Sequence, residues 1–532
     1  MTQNGTRSNS LFAGVKPDTY RWLIMATVMI STFMAVLDAT IVNVALSKLM
    51  STFGVSVDKV EWVVTAYMLI FAVMLPSSGW FADHFGYKRM FIVGLALFTG
   101  GSFLCSLSWS LDILIFFRVI QGSGAGILMP VGMAIITREF PPEKRGVALG
   151  FWAISSSASI SLGPTLGGYL IDNYSWHTIF DINIPIGIFG IMAAVIILIE
   201  HKSSLVRFFD IPGFISLSVF LTSLLLALAN GNSAWNTGGW SSTYILSCFA
   251  ISAVSLVVFL IVETMVEHPL IEINLFKNYD FALSNVALVL FGFGMFGSTF
   301  LLPIYLQTSL GYTPLQSGMV FLPMGVLVGI FSPIAGIFGD KYNPKIPAVL
   351  GLIMLAISLL QYYNISYLTE KPAIMFPLYI RGIAMGLLFS PLTAIAISEI
   401  PNYKMAQASG LINVTRQIGG SLGVAVFGSL LTRRTAFHAA TFGQQLDSGS
   451  AMFKQTVKQL SSYAIQSSGG TTAEATAKAR VLLYSFVQKQ AFISGVGDVF
   501  FAAGIAVLLS ALPVIILRTH KRKKGPGATA IE

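Results

Sequence analysis

Residues 22–46 read WLIMATVMISTFMAVLDATIVNVAL, an apolar run broken by a single carboxylate, Asp38. A helix that crosses a bilayer needs about 20 mostly apolar residues, and this run supplies them. An ionisable group inside such a run is expensive to bury, so it usually marks an ion or substrate pathway. The alternative is a neutral, hydrogen-bonded structural carboxyl. Thr40 and Asn43 lie within helical reach of Asp38 and are candidates to share a proton or a water with it.

The rest of the chain repeats this character. Of 532 residues, 55% are hydrophobic and 10% charged, against about 25% charged in soluble domains. Apolar runs between polar breaks predict about fourteen spans. Six fall near 22–47, 60–78, 90–107, 111–136, 146–170 and 179–199, then two near 211–229 and 243–265. The last six fall near 281–306, 315–338, 346–364, 374–398, 406–431 and 491–517. The fold class expected is an all-α polytopic membrane protein. The net charge of +9 comes from Lys and Arg scattered over short loops, which argues against nucleic acid. With the N-terminus inside, 19 Lys and Arg fall on inner loops and tails, against Lys48, Lys59 and Lys371 on the short outer loops. That asymmetry predicts both termini in the cytoplasm. Cys105 and Cys248 sit in apolar runs and read as fillers, not as a disulfide or metal site. The polar start leads into a run too long for a cleavable signal peptide.

An internal repeat divides the chain. The segment from Pro76 through Gly79 and Asp83 to Lys88 is echoed from Pro333 through Gly336 and Asp340 to Lys345. Gln121-Gly122 with Gly126 is echoed by Arg381-Gly382 with Gly386, and Ser161-Leu162-Gly163 by Ser421-Leu422-Gly423. The nearly constant offset implies two six-helix halves of one orientation. The domains expected are an N-terminal tail (1–21), a first bundle (22–200), two inserted helices with linkers (201–270), a second bundle (271–517) with an outer loop at 433–490, and a tail (518–532). Such repeats mark secondary transporters that bind substrate between the halves near the midplane.

Several motifs carry chemistry on this frame. A carboxyl group in low dielectric can hold a proton near neutral pH and release it when water or a cationic ligand arrives. That makes Asp38 the proton-site candidate. Arg118 lies inside the fourth span, stays charged, and needs a counter-charge or a wet cavity. It reads as a modulator of a neighbouring carboxylate or as a packing anchor, with Gln121 beside it. Gly163-Pro164 with Gly167-Gly168 should bend the fifth span and let helices approach closely, as a static kink or as a hinge surface between the halves. Asp83 precedes the third helix, where its dipole favours a carboxylate. Its repeat at Asp340 suggests a shared gate role for Gly79, Asp83, Gly86, Lys88, Arg89 and Asp340. Asp181, Asn183, Arg381, Arg416 and Asp498 are secondary candidates in or near spans.

Enzyme signals fail. There is no Gly-rich loop ending in Lys-Ser/Thr, so ATP is not the expected energy source. The six histidines show no metal-ligand spacing, and no cofactor is implied. Gly419-Gly420-Ser421-Leu422-Gly423 matches a hydrolase nucleophile elbow in letters only, because no strand precedes it.

These motifs closely resemble the EmrB/QacA-type drug:proton antiporters, the 14-helix branch of the major facilitator superfamily, over residues 15–517. The stretch Leu37 to Leu46 resembles that branch's first-helix motif, in which the Asp is the proposed protonation and cation-recognition site. Gly79 to Arg89 resembles motif A, with His84 and Tyr87 where basic residues are common. Arg118 to Gly126 resembles motif B, whose Arg is implicated in proton transfer, and Gly163 to Gly168 resembles motif C of antiporters. Trp176 to Gly187 resembles the sixth-helix signature, with Asp181 at a position more often apolar. The long last outer loop brings the chain nearer the EmrB type. The resemblance implies a major facilitator fold of two six-helix bundles plus two inserted helices. It also implies proton-driven export of hydrophobic toxic compounds across the inner membrane. Gram-negative members of that type work with a periplasmic adaptor protein and an outer-membrane channel.

The runner-up reading is a dedicated metabolite exporter or importer. From another class, a non-transporting receptor or scaffold is disfavoured by retention of Asp38, Arg118 and both gate repeats. The segment 433–490 mixes charged with apolar residues, which predicts a partly helical outer cap that docks an adaptor, or else a loose loop. Arg433 to His438 should prolong the thirteenth helix. The Ala-rich Thr471 to Gln490 should be helical, and Ser448-Gly449-Ser450 and Ser467-Ser-Gly-Gly470 should be turns.

Overall fold

The computed structural model describes residues 16–202, 208–267 apart from 234, 269–398 apart from 272 and 300, 400, 405–445, 455, 457–462 and 472–517. In lipid every backbone N–H and C=O must be satisfied internally, and a run of helices does this without sheet edges. The described residues accordingly form helices and turns, with no strand among them.

The first group of long helices is α1 (Pro17–Phe53), α2 (Trp62–Phe85), α3 (Tyr87–Ser106), α4 (Leu111–Glu139), α5 (Arg145–Asn173) and α6 (Asn183–Ile197). A hairpin follows, α7 (Ile211–Asn230) and α8 (Thr243–Met265). The last group is α9 (Tyr279–Thr299), α10 (Pro314–Lys341), α11 (Lys345–Leu360), α12 (Lys371–Ile397), α13 (Met405–Gln445) and α14 (Thr472–Ile516). Twelve described helices are long and apolar enough to cross a membrane. The other two long ones, α5 and α13, pack among them, α5 on α1 and α10, α13 on α9 and α14. The start of α1, the start of α5 and the end of α10 lie together on one face of the bundle, here called the termini face, with Lys144 3.7 Å from Asp18 and Asp340 on the first turn of α5.

Helix association in lipid lacks a hydrophobic drive and depends on close packing through small residues. The seam between the halves is built this way. α5 and α10 run against each other along their length. A Cβ on Gly150 would come within 2.6 Å of the Ser332 carbonyl, and one on Gly318 within 2.8 Å of the Thr165 hydroxyl. On the other side of the bundle, a Cβ on Gly410 of α13 would meet the Leu75 carbonyl of α2 at 2.8 Å.

The α7–α8 hairpin lies over this second seam and touches both halves. Phe209, just before α7, packs on Trp80 of α2 with ring centroids 4.7 Å apart. At the other end the Asn232 amide donates to the Ala425 carbonyl of α13 at 3.0 Å. The outer side of α8 exposes Leu246, Val254, Val257 and Ile261, the apolar surface a lipid-facing helix presents.

Helices outrun the apolar spans at several ends. α13 continues through Arg433–His438 to Gln445, and α14 starts at Thr472. Both extensions contain good helix formers and no proline, so nothing stops them at the membrane edge. The Ser448–Ser450 and Ser467–Gly470 segments lie outside the described residues.

Candidate functional site

Asp38 of α1 points into the first bundle and none of its surface reaches solvent. Both carboxylate oxygens are satisfied. Oδ2 accepts from Arg118 Nη1 at 2.5 Å. Oδ1 accepts from Gln121 Nε2 at 2.8 Å and from Asn183 Nδ2 at 3.1 Å. Arg118 and Gln121 are three apart on α4, one turn on the same face, which is why both reach α1. The guanidinium is itself held in place. Its Nε donates to the Val63 carbonyl at 3.1 Å, Nη1 donates to Gln121 Oε1 at 2.7 Å, and the Tyr67 ring lies 4.0 Å from Cζ. Asn183 also donates to Ser102 Oγ of α3 at 3.1 Å. Five helices thus converge on one buried ion pair.

Breaking such a pair by neutralising one partner leaves the other charge uncompensated, at a cost of about 3–5 kcal/mol in measured cases. Neutralising either partner would therefore favour rearrangement of α1 against α4. This arrangement can couple a proton to a conformational change. It contains no nucleophile paired with a base, and no cluster of potential metal ligands occurs among the described residues.

Other sequence candidates fall in different places. Thr40 turns from Asp38 to α5, donating to the Leu37 carbonyl at 2.9 Å and the Ser159 carbonyl at 3.3 Å. Asn43 is exposed and donates to Ala39 O at 3.1 Å. Neither joins the Asp38 network. Gly163 and Gly167 lie flat against α1, where a Cβ on Gly163 would collide with the Thr40 hydroxyl and one on Gly167 would reach Ile41 at 2.8 Å. Gly168 instead faces Leu315 of α10. Pro164 lies inside α5, and the helix continues through it to Asn173. This glycine-proline segment thus packs α5 on α1 with one face and on α10 with another. Asp181, in the helical turn Thr178–Asp181 before α6, accepts from Ser106 Oγ at 2.5 Å.

The gate motif and its repeat sit on the termini face. Asp340, at the end of α10, accepts from the backbone N–H groups of Gly146 and Val147, each at 3.0 Å. A carboxylate of the second half thereby caps the N-terminus of α5 in the first half, where the helix dipole favours it. Ser390 of α12 donates to the Gly146 carbonyl beside it. A cavity of about 170 Å³ opens here, lined by Arg145, Asp280, Asp340 and Lys345 among others. Asp83 is buried and accepts from the Tyr87 hydroxyl at 2.8 Å, and Arg138 lies 5.0 Å over the Tyr87 ring. Gly79 is buried in the last turns of α2. Gly86 has φ +103, and a Cβ there would collide with Glu200. The Glu200 carboxylate accepts from the backbone N–H groups of Lys88 at 3.1 Å and Arg89 at 3.2 Å. Lys88 Nζ in turn donates to the Val195 carbonyl at 2.6 Å.

In the second half Arg381 is buried and donates from Nη2 to Thr299 Oγ1 at 2.8 Å and to Met295 O at 3.3 Å. Arg416 donates to Asn413 Oδ1 at 2.7 Å and lies 4.9 Å over the Phe389 ring. Asp498 of α14 binds Arg434 Nε at 2.5 Å and His438 Nε2 at 2.7 Å, tying α14 to the extension of α13.

Residues 28–424 match the profile of the Major Facilitator Superfamily. The chain belongs to the major facilitator superfamily. The Escherichia coli (strain K12) multidrug export protein EmrB is 33% identical over 453 residues, covering 83% of this chain and 87% of its own. The probable multidrug resistance protein EmrY of the same strain is 30% identical, covering 95% and 97%. The crystal structure of the human organic anion transporter MFSD10 shares the fold, with TM-score 0.60 at 12% identity over 93% of this chain and 99% of that one. The superfamily fold expected from the sequence is the fold observed.

Three groups at these sites carry no motif in the sequence. Tyr67 and Ser102 stand in apolar runs with nothing to mark them. Glu200 lies outside the gate motif, 111 residues beyond Arg89, and only the fold brings it to the start of α3.

Proposed function

We propose that this member of the superfamily is a proton-coupled exporter of hydrophobic toxic compounds, a transporter and not an enzyme. The observation that carries the reading is the fully buried Asp38–Arg118 pair, held by Gln121 and Asn183. A buried charge pair of this kind exchanges its proton only when the helices around it part, and that links the proton to alternating access. The relatives' names, multidrug export and multidrug resistance, support the substrate class. The Lys and Arg asymmetry supports an inner-membrane location with both termini in the cytoplasm. On that placement the termini face is the cytoplasmic gate, latched by Asp340 on α5. The helical extensions of α13 and α14 then rise on the periplasmic side. They form a docking surface for a periplasmic adaptor protein, which leads to an outer-membrane channel.

The experiment is substrate-dependent proton flux in proteoliposomes carrying the purified protein. Asp38→Asn keeps the shape of the side chain and cannot ionise. It should abolish proton-driven export, while Asp38→Glu keeps part of it. Undiminished proton-driven export by Asp38→Asn sinks the proton-site assignment. Deleting 445–478 should spare transport in proteoliposomes and abolish co-purification of the adaptor. Adaptor binding that survives the deletion refutes the docking role.

A further inference from the structure

The turn before α6 is fastened to α3 at two rungs, and the fastening ends on the Asp38 pair. Ser102 and Ser106 lie four apart on α3, one turn on the same face. Ser106 Oγ donates to Asp181 Oδ1 at 2.5 Å, and Ser102 Oγ donates to the Phe180 carbonyl at 2.9 Å. Asn183 follows two residues after Asp181. Its Nδ2 group spends one hydrogen on Ser102 Oγ and the other on Asp38 Oδ1, each at 3.1 Å. Its own Oδ1 is buried and meets no partner among the described residues. Nothing on the acceptor side therefore steers this amide. Its aim at Asp38 depends on Ser102 and on where the backbone of 180–183 is held.

Asp181 is the strong fastener of that backbone. An O–H···O⁻ bond is about twice as strong as a neutral one and about 2.5–2.7 Å long, and the Ser106 contact has that length. The other side chains of the turn are engaged elsewhere. Ile179 and Phe180 are buried in an apolar cluster. The Thr178 hydroxyl donates to the Ser175 carbonyl, and His177 Nδ1 meets Ser175 Oγ at 2.6 Å. On the far side of Asn183, one turn along α6, a Cβ on Gly187 would collide with Thr99 Oγ1 of α3. The amide is thus bracketed, by close fit on one side and by the Asp181 bond on the other.

We infer that Asp181 is a positioning residue for the proton site: by pinning the turn to Ser106 it holds the Asn183 amide on Asp38. Without the pin the turn moves off α3 and the amide leaves Asp38 Oδ1, which keeps only its Gln121 donor. The carboxyl group is then open on that side. The inference rests on the reading of Asp38 as the proton site and adds what keeps that site sealed.

The test is labelling of Asp38 by dicyclohexylcarbodiimide in the full-length protein in nanodiscs, read by mass spectrometry of the Asp38 peptide. The reagent reacts with a carboxyl group that holds a proton and can be reached from the apolar phase. Asp181→Leu and Ser106→Ala break the pin from its two sides, so the second serves where the first does not fold. Each should speed labelling about tenfold, the worth of one hydrogen bond to a charged group. Asn183→Ala should do the same, and adding Asp181→Leu to it should speed labelling no further, because the two act in series. Asp181→Asn keeps an oxygen for the Ser106 hydroxyl and should restore the slow rate. A wild-type rate in either Asp181→Leu or Ser106→Ala overturns the inference. A further increase in the double variant overturns it too, since Asp181 then acts by a route other than Asn183. Fast labelling in Asp181→Asn overturns it in favour of a role for the charge itself. No gradient or substrate enters this assay. Undiminished export by Asp38→Asn would remove the proton-site reading and leave the pin standing, while failure of the pin leaves the export reading untouched.

Discussion

Replacing Asp340 by Asn tests whether the contact across the termini face is a latch. The carboxylate receives two backbone N–H bonds from Gly146 and Val147, each 3.0 Å long, at the first turn of α5. Asn keeps one acceptor oxygen and turns an amide NH₂ toward the other N–H. The variant loses one hydrogen bond to a charged group, about 1.5–3 kcal/mol, and the charge–dipole attraction, about 0.3–1 kcal/mol. Partial exposure of the site lets water recover part of this, leaving about 2 kcal/mol. All of it is lost from states in which α10 touches α5 here, and none from states in which this face has opened. The closed-to-open ratio should fall about 30-fold, at 1.4 kcal/mol per factor of ten. Spin labels at Phe85 and Tyr342, both exposed and on different halves, read that ratio as a distance distribution. The two cysteines are buried and can be replaced beforehand. An unchanged distribution in Asp340→Asn, Asp83→Asn and the double variant refutes the latch.

Two further outcomes follow from single contacts. Gly163→Ala sets a methyl against the Thr40 hydroxyl and should reduce export several-fold, since overpacking costs about 1–3 kcal/mol. Thr40→Ala in the same chain should restore it, and failure of that rescue means the close approach of α1 and α5 is not what Gly163 provides. Asp498→Asn leaves Arg434 and His438 without their shared counter-charge. It should destabilise the α13–α14 pairing by about 1 kcal/mol, seen as faster hydrogen exchange in 434–445; unchanged exchange there refutes the tie.

The helices were legible because lipid leaves the backbone few options and the apolar runs advertise them. The extensions past the apolar spans were legible from composition, since 433–438 and the Ala-rich 472–490 hold helix formers and no proline, and both are helical. The repeat was legible too, since glycines and carboxylates recur at matched places. What the repeat hides is divergence. Asp83 and Asp340 occupy matching positions, but Asp83 accepts from a tyrosine hydroxyl of its own half and Asp340 from two backbone amides across the seam. A motif fixes a residue's address on its helix, and the partner depends on which neighbouring helix starts there.

The Asp38 site shows the same division at finer scale. Helical reach along α1 pointed to Thr40 and Asn43 as partners. Successive residues turn by about 100° around a helix of 3.6 residues per turn. Thr40 therefore faces the opposite side of α1 from Asp38, toward α5, and Asn43 faces away as well. The partners come instead from α4 and α6, at 80, 83 and 145 residues' separation. Local sequence says that a charge is buried. It does not say what compensates the charge, because compensation is a property of the packed bundle.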